Sequence, residues 1–481
     1  MTQFGSGRGD CASHEDESGQ TCSCDLVPVT IRRTWGATDV EKENGSGHIS
    51  MMGAAFLGVG SMVGAGIFAL LGEAGTIAGT AVWISFLIAG TIAMLQGYSF
   101  VKLGARYPSE GGTIEYLLQG FGNGHLTGST SWLFYLVGQI ITVMVALAFG
   151  SYAGELFFGE GVTEQATKLL ALAIIVAMAL LNLEANRASV SRVQSAIVWA
   201  VVTLLGGFAV IMLRNADWSL LSPDGYPGVS SIISSVALTF FSFLGFAIVA
   251  FSAGNLKNPK KDLPRAMYLS IAITTAIYVA VALGVYGMLP LPEVIAAGDT
   301  AIAKAVEPIL GSAGFIIMTI TASFSTSSAV NSQFFATTGV VSYLAKIGQI
   351  PRIFGRQSGK NGNLGTALST VLVCILTMFF DLSAVASIGS VVALIIFIMV
   401  GIAHLKLIAE TGANRLLVYL SIITCAITLL AFCIDTLPDE PETAVALVVF
   451  LVAAVVVDRF WRRIPYLRNE DQPAVAPPGD N

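Results

Sequence analysis

Residues 58–68 read Gly58-Val59-Gly60-Ser61-Met62-Val63-Gly64-Ala65-Gly66-Ile67-Phe68. Four glycines lie within nine positions of an otherwise apolar run. In a helix interior each costs about 1 kcal/mol relative to alanine. The run extends over about residues 51–71, long enough to cross a hydrocarbon core that takes about 20 helical residues. An interruption inside a bilayer frees N–H and C=O groups that must find partners in protein, solute or ion. N–H groups opening the second half-helix suit an anion, and carbonyls closing the first suit a cation. Gly60 and Gly64 also satisfy a small-xxx-small packing motif, so a binding break and a tight helix contact are both open readings here.

The rest of the chain places that stretch in a membrane. Of 481 residues, 54% are apolar and only 12% charged, about half the charge a soluble domain carries. Apolar windows predict twelve spans at about 51–71, 80–100, 128–150, 168–184, 193–213, 232–252, 267–288, 312–342, 365–380, 383–405, 415–433 and 443–460. With the N-terminus inside, every Lys and Arg except Lys168, Arg214 and Lys304 falls in cytoplasmic segments, as the positive-inside rule requires. The expected organisation is a disordered cytoplasmic tail (1–50), a membrane domain (51–460) and a cytoplasmic C-terminal tail (461–481), in a multi-pass protein of the cytoplasmic membrane. Cys11, His14, Cys22 and Cys24 could hold zinc or form a redox pair, but with no folded frame around them their clustering reads as incidental.

Composition also removes function classes. The net charge is −6 with no basic tract, which argues against nucleic acid. Glu73, Glu155, Glu184, Asp381, His404 and Asp458 sit at span ends, and no ionisable group falls near a span's middle. Intramembrane charges are costly and kept for function, so a membrane enzyme, a metal centre and a proton wire are not expected. No cofactor and no obligate protein partner is implied; lipid is the surroundings. The class left is a carrier of a small solute.

A second interruption supports this. The sixth span reads Leu238-Thr239-Phe240-Phe241-Ser242-Phe243-Leu244-Gly245-Phe246-Ala247, with a glycine amid bulky aromatics. It follows the first span by five, so the two run in opposite senses. Interrupted helices at matching positions of two inverted halves are the best sequence pointer to a transporter site.

Four motifs then resemble those of the amino acid–polyamine–organocation permeases: Gly64 with Gly66-Ile67-Phe68; Arg106-Tyr107-Pro108-Ser109-Glu110-Gly111-Gly112; Lys257-Asn258-Pro259-Lys260-Lys261-Asp262-Leu263-Pro264-Arg265; and Asn331-Ser332 with Phe335-Ala336 and Tyr343. The likeness covers about residues 50–465. It implies an all-α polytopic membrane protein of the leucine-transporter-like fold, with inverted repeats of five helices at about 51–213 and 232–405 and peripheral helices 11 and 12 at about 415–460. It further implies that Gly64, Ala65, Gly66 and Ile67 surround the carboxylate of an amino acid. The amino group would meet carbonyls of Met62, Phe241 and Leu244, the last beside Gly245, while the Phe241 ring closes over the solute. On that reading a side chain at Gly66 removes binding without disturbing a packed core.

The chain departs from the family at three places. Ala247 stands where many relatives have Asp or Glu, Ile114 replaces the first tyrosine of the Gly-Gly-x-Tyr-x-Tyr pattern, and the fifth span has no lysine. With no anionic side chain in the pocket, a cationic substrate is disfavoured. The expected function is secondary active transport of neutral amino acids by alternating access. The alternatives are a carrier of an amine or inorganic ions on the same fold, and an amino acid sensor that does not transport. The coupling ion is Na+ or H+. Ser327 and Ser328 on the eighth span could give sodium its oxygens, although hydroxyls in membrane helices commonly bond back to their own helix.

Overall fold

The computed structural model describes residues 50–462, apart from 110, 160, 185–186, 359–361 and 440. Both expected tails, with the Cys11–Cys24 cluster, therefore lie outside the described residues, save Ser50 and the last helical positions 461 and 462.

The described chain is helical: α1 Met51–Ala65, α2 Ile67–Ala78, α3 Val82–Arg106, α4 Thr113–Phe121, α5 His125–Phe158, α6 Glu164–Glu184, α7 Arg187–Asn215, α8 Val229–Phe241, α9 Phe246–Phe251, α10 Pro259–Met288, α11 Leu291–Ala297, α12 Ala301–Lys346, α13 Leu364–Phe379, α14 Leu382–Lys406, α15 Ile408–Thr411, α16 Arg415–Asp435 and α17 Pro441–Arg462. A single two-residue ladder pairs Gln357–Ser358 with Gly362–Asn363. Among the described residues ten helices are long and apolar enough to cross a membrane, and Met51–Gly64 and Leu364–Phe379 are shorter apolar helices.

Local chemistry sets the ends. Side chains of Ser50, Asn363, Asp381 and Asn414 accept from backbone N–H groups in the first turns of α1, α13, α14 and α16, supplying partners that helix starts lack. The apolar stretch Leu291–Lys346 is 56 residues long, far beyond one bilayer crossing. Gly311, at φ 63°, breaks α12, in a conformation closed to most other residues. The segment before Gly311 is therefore read as connection and the segment after it as span.

α5 and α12 pack along each other at the centre. α10 lies against α3 and α1, α8 against α3, α14 against α5, and α12 against α7. α16 covers α14 and α8, and α17 covers α5. Isoleucines and valines on the outer faces of α16 and α17, such as Ile427, Ile434, Val448 and Val456, are exposed; in water such a patch would be an aggregation hazard, and lipid is its natural solvent. Inside, Asn182 Nδ2 donates to Asn331 Oδ1 (2.7 Å), and Asn331 Nδ2 to Gln194 Oε1 (2.6 Å). This amide chain ties α6 and α7 to α12.

Candidate functional site

Both interruptions exist, and each is narrower than an open gap. Gly66 alone separates α1 from α2, at φ −102° and ψ −76°. Its N–H donates to Met62 O (2.8 Å), and its carbonyl accepts from Ala69 and Leu70 N–H (3.2 and 3.0 Å). Residues 242–245 separate α8 from α9 and are tightened into bonds of three-residue spacing. Phe243 N–H donates to Phe240 O (2.9 Å), Leu244 to Phe241 O (3.2 Å), Phe246 to Phe243 O (3.0 Å) and Ala247 to Leu244 O (3.0 Å). Mid-helix turns of this tighter kind mark hinges or strain.

The two interruptions touch. A Cβ on Gly245 would stand 2.7 Å from Met62 N and 2.8 Å from the Ser61 carbonyl carbon. Glycine here lets two backbones meet with no side chain between them. Gly64 presses on the Ser325 carbonyl and Ala329 of α12, and Gly60 on Val198 of α7. Packing and interruption thus fall at different glycines of residues 58–66: Gly60 and Gly64 are contact surfaces, and Gly66 is the break.

Tyr278 of α10 occupies the far side of the break. Its hydroxyl donates to Met62 O (2.5 Å) and reaches Ser242 O (3.2 Å). A Cβ on Gly66 would overlap that hydroxyl and meet Ser242 Cβ. The space beside Gly66 is therefore filled, which corrects the expectation that a side chain there leaves the packed core alone. A carbonyl oxygen has two acceptor sites. Those of Met62 are already engaged by Gly66 and Tyr278, whereas Phe241 and Leu244 have one backbone partner each. Ile67, at the start of α2, is buried.

Around this junction several polar atoms have no partner. Ser61 Oγ and Ser242 Oγ are buried without a hydrogen bond. Leaving a buried polar group unmade costs about 1–3 kcal/mol, and native proteins keep few such groups without a reason. Beyond Leu244 lies a small cavity of about 50 Å3 walled by α5, α9, α12 and α14, with Ala247, Gln139, Gln333 and Thr337 among its lining. That volume holds a few waters or the tip of a side chain, less than a whole small-molecule site. No Asp, Glu, Lys, Arg or His lines it. Phe241 instead turns its ring onto Gly389 of α14.

Ser327 and Ser328 diverge. Ser327 Oγ donates back to Ser323 O (2.7 Å). Ser328 Oγ is buried with no partner and lines, with Ser325, Gly60, Val63 and Val198, a crevice between α1, α7 and α12 that is too narrow for a water molecule in this conformation. Among the described residues no group of three or more His, Cys, Asp or Glu side chains could hold a metal ion.

The loop motifs seal the two ends. Gly111 packs on the Tyr343 ring and Gly112 on Phe251, while Tyr343 donates to Glu115 Oε2. At the other end Gly72 of α2 lies on the Gly298 backbone, Ser151 Oγ donates to Asp299 Oδ2 (2.7 Å) and Tyr152 to Asp299 O (2.5 Å). Sequence reasoning passed over Ser61, Ser242, Gln139, Gln333 and Tyr278. The two serines stood inside the quoted stretches and offered a signal. Nothing local marks the other three, since a lone Gln or Tyr in an apolar span gains meaning only from its neighbours in space.

Comparison with known proteins identifies the family. A model of the amino acid permease family matches residues 49–466. The chain is 30% identical over 430 residues to the inner membrane transport protein YbaT of Escherichia coli, covering 88% of this chain and 99% of that one. It is 26% identical to the mitochondrial cationic amino acid transporter 3 of Arabidopsis thaliana, over 73% of this chain and 60% of the relative. It is 25% identical to the branched-chain amino acid permease BcaP of Bacillus subtilis, over 55% and 58%. With two touching helix breaks in a multi-pass helical membrane protein and a family match across all of its described residues, the chain belongs to the amino acid permeases of the amino acid–polyamine–organocation superfamily.

Proposed function

We propose that this permease is a secondary active transporter of neutral amino acids that works by alternating access, binding its solute where the α1/α2 and α8/α9 breaks meet. The observation that carries the reading is the pair of unpartnered buried hydroxyls, Ser61 Oγ and Ser242 Oγ, one on each broken helix beside Met62 and Phe241. An amino acid backbone is zwitterionic and supplies both donors and acceptors to such a junction. The charge-free lining of the adjoining cavity favours a neutral side chain over a cationic one.

The packing supports twelve crossings arranged as two inverted sets of five. Counting α1/α2 and α8/α9 as one crossing each, α1 on α10 is matched by α8 on α3, α12 on α7 by α5 on α14, and α12 on α6 by α5 on α13. Such matched contacts are what a two-fold axis through the α5–α12 pair generates. The positive-inside count puts both termini in the cytoplasm, so the cavity beyond Leu244 faces the inner half of the membrane. Ser328 is the better of the two proposed sodium ligands, and Ser327 the poorer.

Uptake into proteoliposomes of each of the twenty amino acids, with sodium and proton gradients imposed separately, tests the proposal. Accumulation of neutral amino acids driven by one gradient is expected. Binding without accumulation would instead identify a sensor. Accumulation of arginine and lysine in preference to neutral solutes would overturn the substrate class.

A further inference from the structure

The cavity beyond Leu244 is apolar except at a few points, and two of these are glutamines. Gln139, on α5, is 1% exposed. Its Nε2 donates to Tyr135 O (3.2 Å) and lies 3.5 Å from Thr337 Oγ1. A backbone carbonyl can only accept, so the amide nitrogen is fixed toward Tyr135 and Oε1 is turned the other way, where it has no partner. Gln333, on α12, is 5% exposed and lines the same cavity. Its side chain makes no hydrogen bond within the described residues. Two amides nine-tenths buried, on facing helices, are thus held in an apolar chamber with acceptor and donor capacity unspent. Buried polar groups in proteins are normally paired, and a chamber meant for a hydrocarbon side chain would be cheaper with leucine at both positions.

We propose that Gln139 and Gln333 form a subsite for the substrate's side chain, selecting an uncharged polar tip, a hydroxyl or a carboxamide, over an aliphatic one. The inference rests on the permease reading above and names the substrate class within it. The subsite sits past Leu244, so an amino acid whose α-carbon is at the helix breaks projects its side chain along α9 toward the two amides. A hydroxyl or carboxamide there accepts from Gln333 Nε2 and, once the solute opens the packing around it, donates to Gln139 Oε1, which is enclosed in this conformation. The surrounding Phe134, Phe251 and Phe397 receive the methylenes. A charged tip finds no counter-ion, and an aliphatic tip leaves both amides desolvated and unpaired.

The test uses near-isosteric pairs in proteoliposomes containing the full-length protein: threonine against valine, and asparagine against leucine. In the unaltered protein KM for the polar member is expected to be about tenfold lower, the ratio one neutral hydrogen bond sustains, with kcat similar. Gln139→Leu should bring the KM ratio close to one, and Gln333→Leu should lower it in the same direction. Should Gln139→Leu fail to fold, the ratio in the unaltered protein and in Gln333→Leu decides. Equal KM for threonine and valine in the unaltered protein, or a ratio untouched by both substitutions, overturns the subsite while leaving the permease reading standing. Absence of uptake of every amino acid by the unaltered protein overturns both.

Discussion

The hydroxyl of Tyr278 lies 2.5 Å from the carbonyl oxygen of Met62 and, from the same atom, 3.2 Å from that of Ser242. One side chain of α10 is thereby bonded to both interrupted helices at the point where each loses its regular geometry. Its ring packs edge-on against Phe86 and Phe243, with centroids 5.1 Å away in each case. Tyr278 holds the two breaks in register. Tyr278→Phe keeps the packing and deletes the tether. It should cost about 1–2 kcal/mol of stability and raise substrate KM by about tenfold. A thermal melt and an uptake titration check the two parts, and an unchanged KM would show that the breaks hold their register without it.

The contact between Gly245 and the Ser61–Met62 backbone cannot be relieved by rotating a side chain. Gly245→Ala should therefore abolish transport and reduce the yield of folded protein. Gly206, on α7, has open space where a Cβ would go. Gly206→Ala should be neutral or stabilising by about 0.5–1 kcal/mol. Comparing melting temperatures of the two variants separates close approach from helix propensity. Equal tolerance of alanine at both positions would refute the backbone contact.

The two neighbouring serines on α12 should behave differently if sodium drives uptake. Ser328 faces the crevice beside Gly60 and Val63 with a free hydroxyl, so Ser328→Ala should weaken sodium dependence several-fold. Ser327 spends its hydroxyl on the Ser323 carbonyl, so Ser327→Ala should leave it unchanged. Sodium titrations of uptake at saturating amino acid make the comparison. Uptake indifferent to sodium that collapses with the proton gradient would place the coupling elsewhere.

How far the fold was legible follows from which signals are local. Long apolar runs and the siting of Lys and Arg are properties of single segments, and helices lie over each predicted run, although ten rather than twelve of the described helices are long and apolar enough to cross a membrane. Helix interruption is also local, and Gly66 and Gly245 both stand at the breaks. The meaning of each glycine was not local. Gly60 and Gly64 differ from Gly66 only in facing Val198 and Ser325, which are far away in the chain. The same limit hid Tyr278 and the two cavity glutamines. A hydroxyl or amide in an apolar span is ordinary until the opposing helix shows whether its partner is present. Ser327 and Ser328 make the point at one residue's distance, because a helix rotates about 100° per residue and only one of them faces the crevice.

Asp299 gives a pH dependence that can be predicted in sign. It lies on the connection between α11 and α12, outside the crossing that follows Gly311, where its carboxyl receives Ser151 and its carbonyl receives Tyr152. Burial, with Glu155 nearby adding to it, pushes the carboxyl from 3.8 to about 6 against the opposing pull of the Ser151 hydrogen bond. A carboxyl whose folded value is raised takes nothing from stability while it is neutral in both states, below about pH 4. Its penalty then grows as the pH rises toward and through 6, because the unfolded chain ionises first. The full effect is at most about 3 kcal/mol. This connection rests on α2 through Gly298 and Gly72 and on α5 through Ser151 and Tyr152, so ionisation loosens the seal at that end of the protein. The melting temperature of the unaltered protein should therefore fall between pH 4.5 and 7.5. Asp299→Asn, which keeps an acceptor for Ser151 and the backbone carbonyl for Tyr152, should flatten that fall and melt higher at pH 7.5. Parallel pH profiles for the two proteins would show that Asp299 titrates alike in the folded and unfolded chain.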